Sequence, residues 1–77
     1  MKLVLYHFPS CPFCRKVVQY LDSRKDIEIE MRDIHLDPAI KKELASINLG
    51  ITQVPCLVID GKPMLESDDI VEYLKGV

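Results

Sequence analysis

The stretch Cys11-Pro12-Phe13-Cys14 decides how this chain folds and what chemistry it can carry. It follows an apolar run and precedes residues with helical spacing, so it lies where a strand leads into a helix. A helix N-terminus has free N–H groups and partial positive charge, which favour ionisation of a nearby sulfur. Pro12 suits the first helical position, where its missing N–H would have no partner. The pattern predicts an exposed, reactive thiolate at Cys11 with a second thiol at Cys14 within reach.

Size and composition limit the possible classes of protein. The chain has 77 residues, room for one domain over residues 1–77, and its hydrophobic content of 48% argues against disorder. Its 10 Lys and Arg residues are scattered and its net charge is -2, which argues against nucleic acid as a partner. The first apolar run is too short for a signal peptide or a membrane span, so we expect a cytoplasmic protein. An odd number of cysteines disfavours a disulfide framework.

The rest of the sequence predicts an α/β domain. Leu3 to Tyr6 are continuously apolar, as in strands buried on both faces. A helical crossover makes the first two strands parallel, and Asp60-Gly61 favours a tight antiparallel hairpin because both turn residues take positive φ. The predicted order is βαβαββα, a four-stranded mixed sheet flanked by three helices. The elements are strand 2–7, helix 12–24, strand 26–34, helix 38–49, strand 57–59, strand 62–65 and a last helix capped by Ser67.

Spacing also predicts which side chains face the core. The first helix has an apolar face at helical spacing, and residues 26–34 alternate apolar with charged side chains, as a half-buried strand does. The apolar positions in these two segments are Phe13, Val17, Tyr20 and Leu21, followed by Ile27, Ile29 and Met31.

Three motifs, in this order, resemble those of the thioredoxin-like superfamily and, within it, the glutaredoxins. Cys11-Pro12-Phe13-Cys14 resembles the family's CPYC, with Phe13 in place of Tyr. Val54-Pro55, preceded by Gln53, resembles the TVP motif, whose proline is cis in the family. Ser67-Asp68-Asp69 resembles the acidic helix start where glutaredoxins hold the γ-glutamyl end of glutathione. The alternative for this last motif is an ordinary helix cap.

The resemblance implies a thioredoxin-like fold and a glutathione-dependent thiol-disulfide oxidoreductase that serves electron transport and cell redox homeostasis. Cys11 would attack a disulfide, and Cys14 or a second glutathione would release the product. Glutathione would be a co-substrate, with no tightly bound cofactor or metal. The partners would be disulfide-containing proteins or small molecules, and the domain a monomer. The residues implied in substrate binding are Phe13, Gln53, Val54, Pro55, Glu66, Ser67 and Asp68.

A second resemblance is to the N-terminal domain of glutathione S-transferases. It rests on Pro12-Phe13-Cys14-Arg15-Lys16-Val17, on Leu65-Glu66-Ser67 and on Ile70 with Tyr73-Leu74. Those enzymes carry an additional helical domain, which 77 residues are too few to contain. The two resemblances agree on the ligand and differ in the chemistry.

One part of the glutaredoxin pattern is missing. Phe8 and Thr52 stand where many members carry basic residues that hold the glycine carboxylate of glutathione. The resemblance therefore leaves open what replaces them, and the candidates are Arg15, Lys16 or Gln53.

Alternative functions stay open at this stage. Cys11, Cys14 and Cys56, with His7 or His35, are ligand types that zinc accepts. A non-enzymatic module could bind glutathione or carry an iron–sulfur cluster between two subunits. A dithiol reductase could instead be recharged by a partner of the thioredoxin-reductase type. We expect Cys56 to be a small buried apolar residue and assign no role to either histidine.

Overall fold

The computed structural model describes residues 2–77 and confirms the predicted α/β architecture. It has three helices and one four-stranded mixed sheet in the order βαβαββα. Within these residues, no helix combines the length and the apolar character that crossing a membrane requires. The elements are β1 (Leu3–His7), α1 (Pro12–Asp22), β2 (Glu30–Asp33), α2 (Pro38–Ile47), β3 (Cys56–Ile59), β4 (Lys62–Met64) and α3 (Ser67–Lys75).

The topology of the sheet brings distant parts of the chain to one edge. The strand order is β2-β1-β3-β4, with β1 parallel to β2 and antiparallel to β3, and β3 antiparallel to β4. The end of β1, the end of β2, the start of β3 and the end of β4 therefore lie together at one end of the sheet, where the strands meet the loops. We call this end of the strands the thiol edge, because the loop after β1 leads to Cys11. It joins residues 8–11, 34–37, 54–55 and 65–66.

Both faces of the sheet are covered, which explains the continuous apolar run in β1. Alternate residues of a strand point to opposite faces. Leu3 and Leu5 therefore pack in one cluster and Val4 and Tyr6 in another. The first cluster also holds Val17, Leu21, Ile27, Leu57, Ile70 and Leu74 from the side of α1 and α3. The second also holds Ile34, Leu44, Cys56 and Val58, on the side of α2.

Strand β2 is shorter than predicted, because a turn occupies the residues before it. The Arg24 guanidinium donates to both carboxylate oxygens of Asp26, at 2.9 and 2.8 Å, and the N–H of Ile27 donates to the Arg24 carbonyl. These hydrogen bonds with Arg24 lower the pKa of Asp26 to about 2. Ile27 still packs in the core, but the predicted inward position of Met31 is wrong, since that residue is 41% exposed.

The ends of the helices show which local signals were sufficient. Asp37 caps α2 by accepting from the Ala39 N–H at 2.9 Å, as predicted. Helices α1 and α2 end two residues earlier than predicted, and α2 is followed by Leu49 and Gly50, which both have positive φ. The hairpin prediction is confirmed, with φ of 48° and 89° at residues 60 and 61.

The predicted cap of α3 is wrong by one residue. The helix begins at Ser67, and Glu66, with a φ of 70°, occupies the N-cap position. The Glu66 carbonyl accepts the first helical hydrogen bond, from the Ile70 N–H at 3.0 Å. Ser67 is buried inside the first turn and cannot cap it. The Glu66 side chain makes no capping hydrogen bond to this helix.

Candidate active site

The two cysteines of the motif meet at the start of α1. Cys11 is the N-cap residue, and its sulfur accepts a hydrogen bond from the Cys14 N–H at 3.4 Å. The Cys11 N–H donates to the Phe8 carbonyl at 3.1 Å, which closes the loop after β1. Pro12 takes the first helical position, where a missing N–H costs nothing. The Cys11 sulfur therefore lies at the positive end of the helix dipole, beside the second thiol residue.

The predicted exposure of Cys11 is wrong. This residue is only 6% exposed, and Cys14 is 1% exposed. The reason is the capping role of Cys11, which turns its sulfur inward toward the first turn of α1. Burial, followed by the hydrogen bond with Cys11, raises the pKa of the Cys14 thiol well above its ordinary value. Cys14 is therefore an uncharged thiol at neutral pH.

A pocket of about 310 Å³ lies at the thiol edge. Three separate segments form it: the first turn of α1, the residues before β3 and the start of α3. The Val54–Pro55 peptide bond is cis. The structure thus brings together all the residues that the resemblance implies in substrate binding, although binding itself stays a prediction. The lining residues are Phe13, Gln53, Val54, Pro55, Glu66, Ser67 and Asp68.

Phe13 is a wall of this pocket rather than part of the core. Its side chain is 65% exposed, so the helical spacing that placed it with Val17 and Leu21 was misleading at this position. The first turn of α1 extends beyond the sheet at the thiol edge. A large apolar side chain there is available to a ligand.

The start of α3 gives the pocket a position where an anion could bind. The first N–H groups of a helix have no partner within it, and here the side chain of the N-cap residue Glu66 supplies none. Ser67 and Asp68 carry two of these N–H groups and line the pocket. A carboxylate could be held at this position by the N–H groups and the dipole.

The charged side chains of the pocket are both acidic. They are Glu66 and Asp68, and no Lys, Arg or His is among the lining residues. Lys16, on the exposed side of α1, forms an ion pair with Asp68 instead of lining the pocket. Of the three candidates to replace the missing basic residues, the structure thus brings only Gln53 to the pocket.

Sequence reasoning missed the pair between Lys16 and Asp68. These residues are 52 positions apart, so no local spacing connects them. The available signal was that Lys16 follows the cysteine motif on α1 and that Asp68 stands at the start of α3, two helices that the fold packs together. The contact between Phe8 and His35 was missed for the same reason. Their rings stack with centroids 4.2 Å apart, and they join two loops of the thiol edge.

The remaining candidates for metal binding are not grouped with the dithiol. Cys56 is fully buried at the start of β3, opposite Tyr6, and burial raises the pKa of its thiol. His7 lies opposite Asp33 in the register of β1 and β2, and burial lowers the pKa of His7, with Asp33 acting in the opposite direction. Among residues 2–77, no three His, Cys, Asp or Glu side chains are close enough to share a metal ion.

A second pocket, of about 260 Å³, is lined by neither Cys11 nor Cys14. The Tyr6 hydroxyl donates to the Glu43 carboxylate there, and burial together with this bond raises the pKa of Tyr6. Arg32 forms ion pairs with Glu30 and Glu43 at the same place. This network ties β1 and β2 to α2.

Comparisons with known proteins agree with this architecture. A family model described as Glutaredoxin matches residues 3–64. Prostaglandin E synthase 2 of Danio rerio is 27% identical over 71 residues, which are 92% of this chain but 18% of that protein. A solved thioredoxin-like protein is 27% identical, with a TM-score of 0.77 over 97% of this chain and 96% of that one. Glutathione transferase Omega 3C from Trametes versicolor is 26% identical, with a TM-score of 0.79 over 99% of this chain and 33% of that one. The predicted thioredoxin-like fold is confirmed.

Proposed function

The chain belongs to the glutaredoxin family, and on that premise we propose that it is a thiol-disulfide oxidoreductase with glutathione as co-substrate. The observation that carries the proposal is the Cys11 sulfur at the N-terminus of α1, in hydrogen-bond contact with the Cys14 N–H. A thiolate at this position is stabilised by the helix dipole and by the N–H donor. All three cysteines are free, which suits a reducing compartment such as the cytoplasm.

The two thiols have different roles in the proposed reaction. The Cys11 thiolate attacks one sulfur of a disulfide, forms a mixed disulfide and expels the other sulfur as a thiolate, which takes up a proton. Cys14 stays protonated in this step because its pKa is raised, so it does not compete as the nucleophile. It then loses its proton and attacks the Cys11 sulfur, which releases the second thiol and leaves a Cys11–Cys14 disulfide. Alternatively, where the sulfur bound to Cys11 belongs to glutathione, a second glutathione thiolate attacks that sulfur, expels the Cys11 thiolate and leaves as oxidised glutathione.

The pocket supplies the groups that would orient a γ-glutamyl ligand. The uncapped N–H groups at Ser67 and Asp68 would hold its α-carboxylate, and the Asp68 carboxylate would hold its α-amino group. The backbone of Val54 would offer hydrogen bonds to the extended peptide. A volume of about 310 Å³ is at the small end of ligand pockets, as expected for a tripeptide held at the surface.

Replacement of each cysteine tests the proposal. With a protein–glutathione mixed disulfide as substrate, Cys11→Ser should abolish turnover, because Cys14, the other thiol at the start of α1, is kept protonated by its raised pKa. Cys14→Ser should retain partial activity, since a second glutathione can resolve the intermediate. Cys56→Ser, in the same stretch of chain as the pocket, is the control and should keep the activity if the protein folds. Full activity of Cys11→Ser would refute the proposal.

A dithiol reductase recharged by a protein partner is the second candidate. The absence of a cation among the pocket residues favours it, because glutathione carries two carboxylates. Oxidised protein should be offered glutathione in one experiment and a thioredoxin-reductase system in another. Faster reduction by the reductase system would favour this candidate over the first.

A further inference from the structure

We infer that the pocket prefers γ-glutamyl-cysteinyl thiols whose far carboxylate is neutralised, as an amide, an ester or an amine conjugate, over glutathione itself. The inference rests on the proposed function and names its substrate class. Its basis is the unequal charge of the two ends of the site: one end can hold both groups of an α-amino acid, and the other end has no charged donor.

The pocket has a partner for each charged group at the amino-acid end of the ligand. This end carries a carboxylate and an ammonium. The uncapped start of α3 serves the first, and the Asp68 carboxylate serves the second. This end of the ligand is a zwitterion, so it adds no net charge to the pocket. Lys16 compensates part of the charge of Asp68 in the unliganded protein.

The other end of glutathione is a free glycine carboxylate, and nothing cationic in the pocket faces it. Gln53 offers an amide without charge. Phe8, which stands near the motif, stacks on His35, and neither of these residues lines the pocket. The two cations that follow the motif are Arg15, which does not line the pocket, and Lys16, which pairs with Asp68.

The charge of Glu66 turns this lack of a partner into repulsion. Glu66, the residue before Ser67, also lines the pocket, and its carboxylate has no ion pair among residues 2–77. The pocket therefore carries a net negative charge, which repels a second ligand carboxylate across a partly aqueous space. Such repulsion between charges about 8 Å apart changes a rate or an affinity by roughly twofold to tenfold. A ligand with a neutral far end avoids it.

The test compares two mixed disulfides that differ only at this carboxylate. One is made from glutathione and the other from glutathione amide, each joined to the same fluorogenic thiol. Reduced protein is mixed with each disulfide in single-turnover experiments, so that no recycling system contributes. Each rate is divided by that of the same disulfide with dithiothreitol, which removes any difference in intrinsic reactivity. We expect kcat/KM for the amide to be about twofold to tenfold higher, with a smaller ratio at high salt.

Two variants make the test specific to the pocket. Gln53→Lys supplies the missing cation and should remove or reverse the preference for the amide. Gln19→Lys makes the same chemical change on the exposed part of α1, away from the pocket, and should leave the preference as it is. Equal rates for the two disulfides, or a preference for the free acid in the unmodified protein, would overturn the inference while leaving the proposed function intact. Failure of both disulfides to react through Cys11 would instead remove the proposed function.

Discussion

Asp68→Asn tests whether the start of α3 recognises an amino group. The substitution keeps the size of the side chain and removes its charge, at a position that lines the pocket and pairs with Lys16. A charge-assisted hydrogen bond to the ligand ammonium contributes about 1.5 to 3 kcal/mol. Binding must displace Lys16, but both side chains are more than half exposed, so that pair contributes only about 0 to 1 kcal/mol. The net loss on substitution is therefore about 0.5 to 3 kcal/mol, or roughly twofold to 150-fold in kcat/KM.

The assay measures single-turnover reduction of a glutathione mixed disulfide and, in a separate reaction, of a small disulfide that has no amino group. Only the first rate should fall in Asp68→Asn. The matched control is Asp69→Asn, which removes an equal charge from the same helical turn at a residue outside the pocket. If kcat/KM for the glutathione mixed disulfide falls equally in Asp68→Asn and Asp69→Asn, the effect comes from the helix dipole alone, and direct recognition of the amino group is refuted. A loss of equal size with the small disulfide would contradict it as well.

The other predictions concern stability. Tyr6→Phe removes the hydrogen bond to Glu43 and should lower the free energy of unfolding by about 1 kcal/mol, measured in urea. Burial lowers the pKa of His7, so the protonated form is disfavoured in the folded state. Stability should therefore decrease as the pH falls below about 6.5, the value for unfolded histidine, and denaturation of His7→Gln at pH 5 and 7 should show a weaker dependence. Leu57→Ala, in the fully buried core, should cost about 2 to 5 kcal/mol, whereas Leu36→Ala, at an 80% exposed position, should change the urea midpoint little.

Three signals that act over a few residues were interpreted correctly from the sequence. The Asp37 cap, the Asp60-Gly61 turn and the position of Cys11 at a helix start each depend on one or two neighbouring residues. The parallel pairing of β1 with β2 and the antiparallel pairing of β3 with β4 followed from general rules of connection. The family resemblance, rather than periodicity, gave the set of residues that line the pocket.

Features that depend on tertiary contacts were not predictable in this way. The burial of Cys11 results from the direction of its side chain at the cap, which spacing does not specify. Strand β2 begins late because Arg24 and Asp26 hold a turn that competes with the sheet. The N-cap of α3 is Glu66 and not Ser67, because Ser67 is buried within the first turn of the helix. The partner of Lys16 is known only once α1 and α3 are packed together.

The order of the strands leaves β2 and β4 at the two open sides of the sheet. Such sides invite strands of other molecules to add on, which leads to aggregation. Here β4 is only three residues long and places Pro63, which has no N–H to offer, opposite Val58. On β2, the charges of Glu30 and Arg32 make a docked strand costly to desolvate. Both open sides of the sheet are thus protected against the addition of a strand from another molecule.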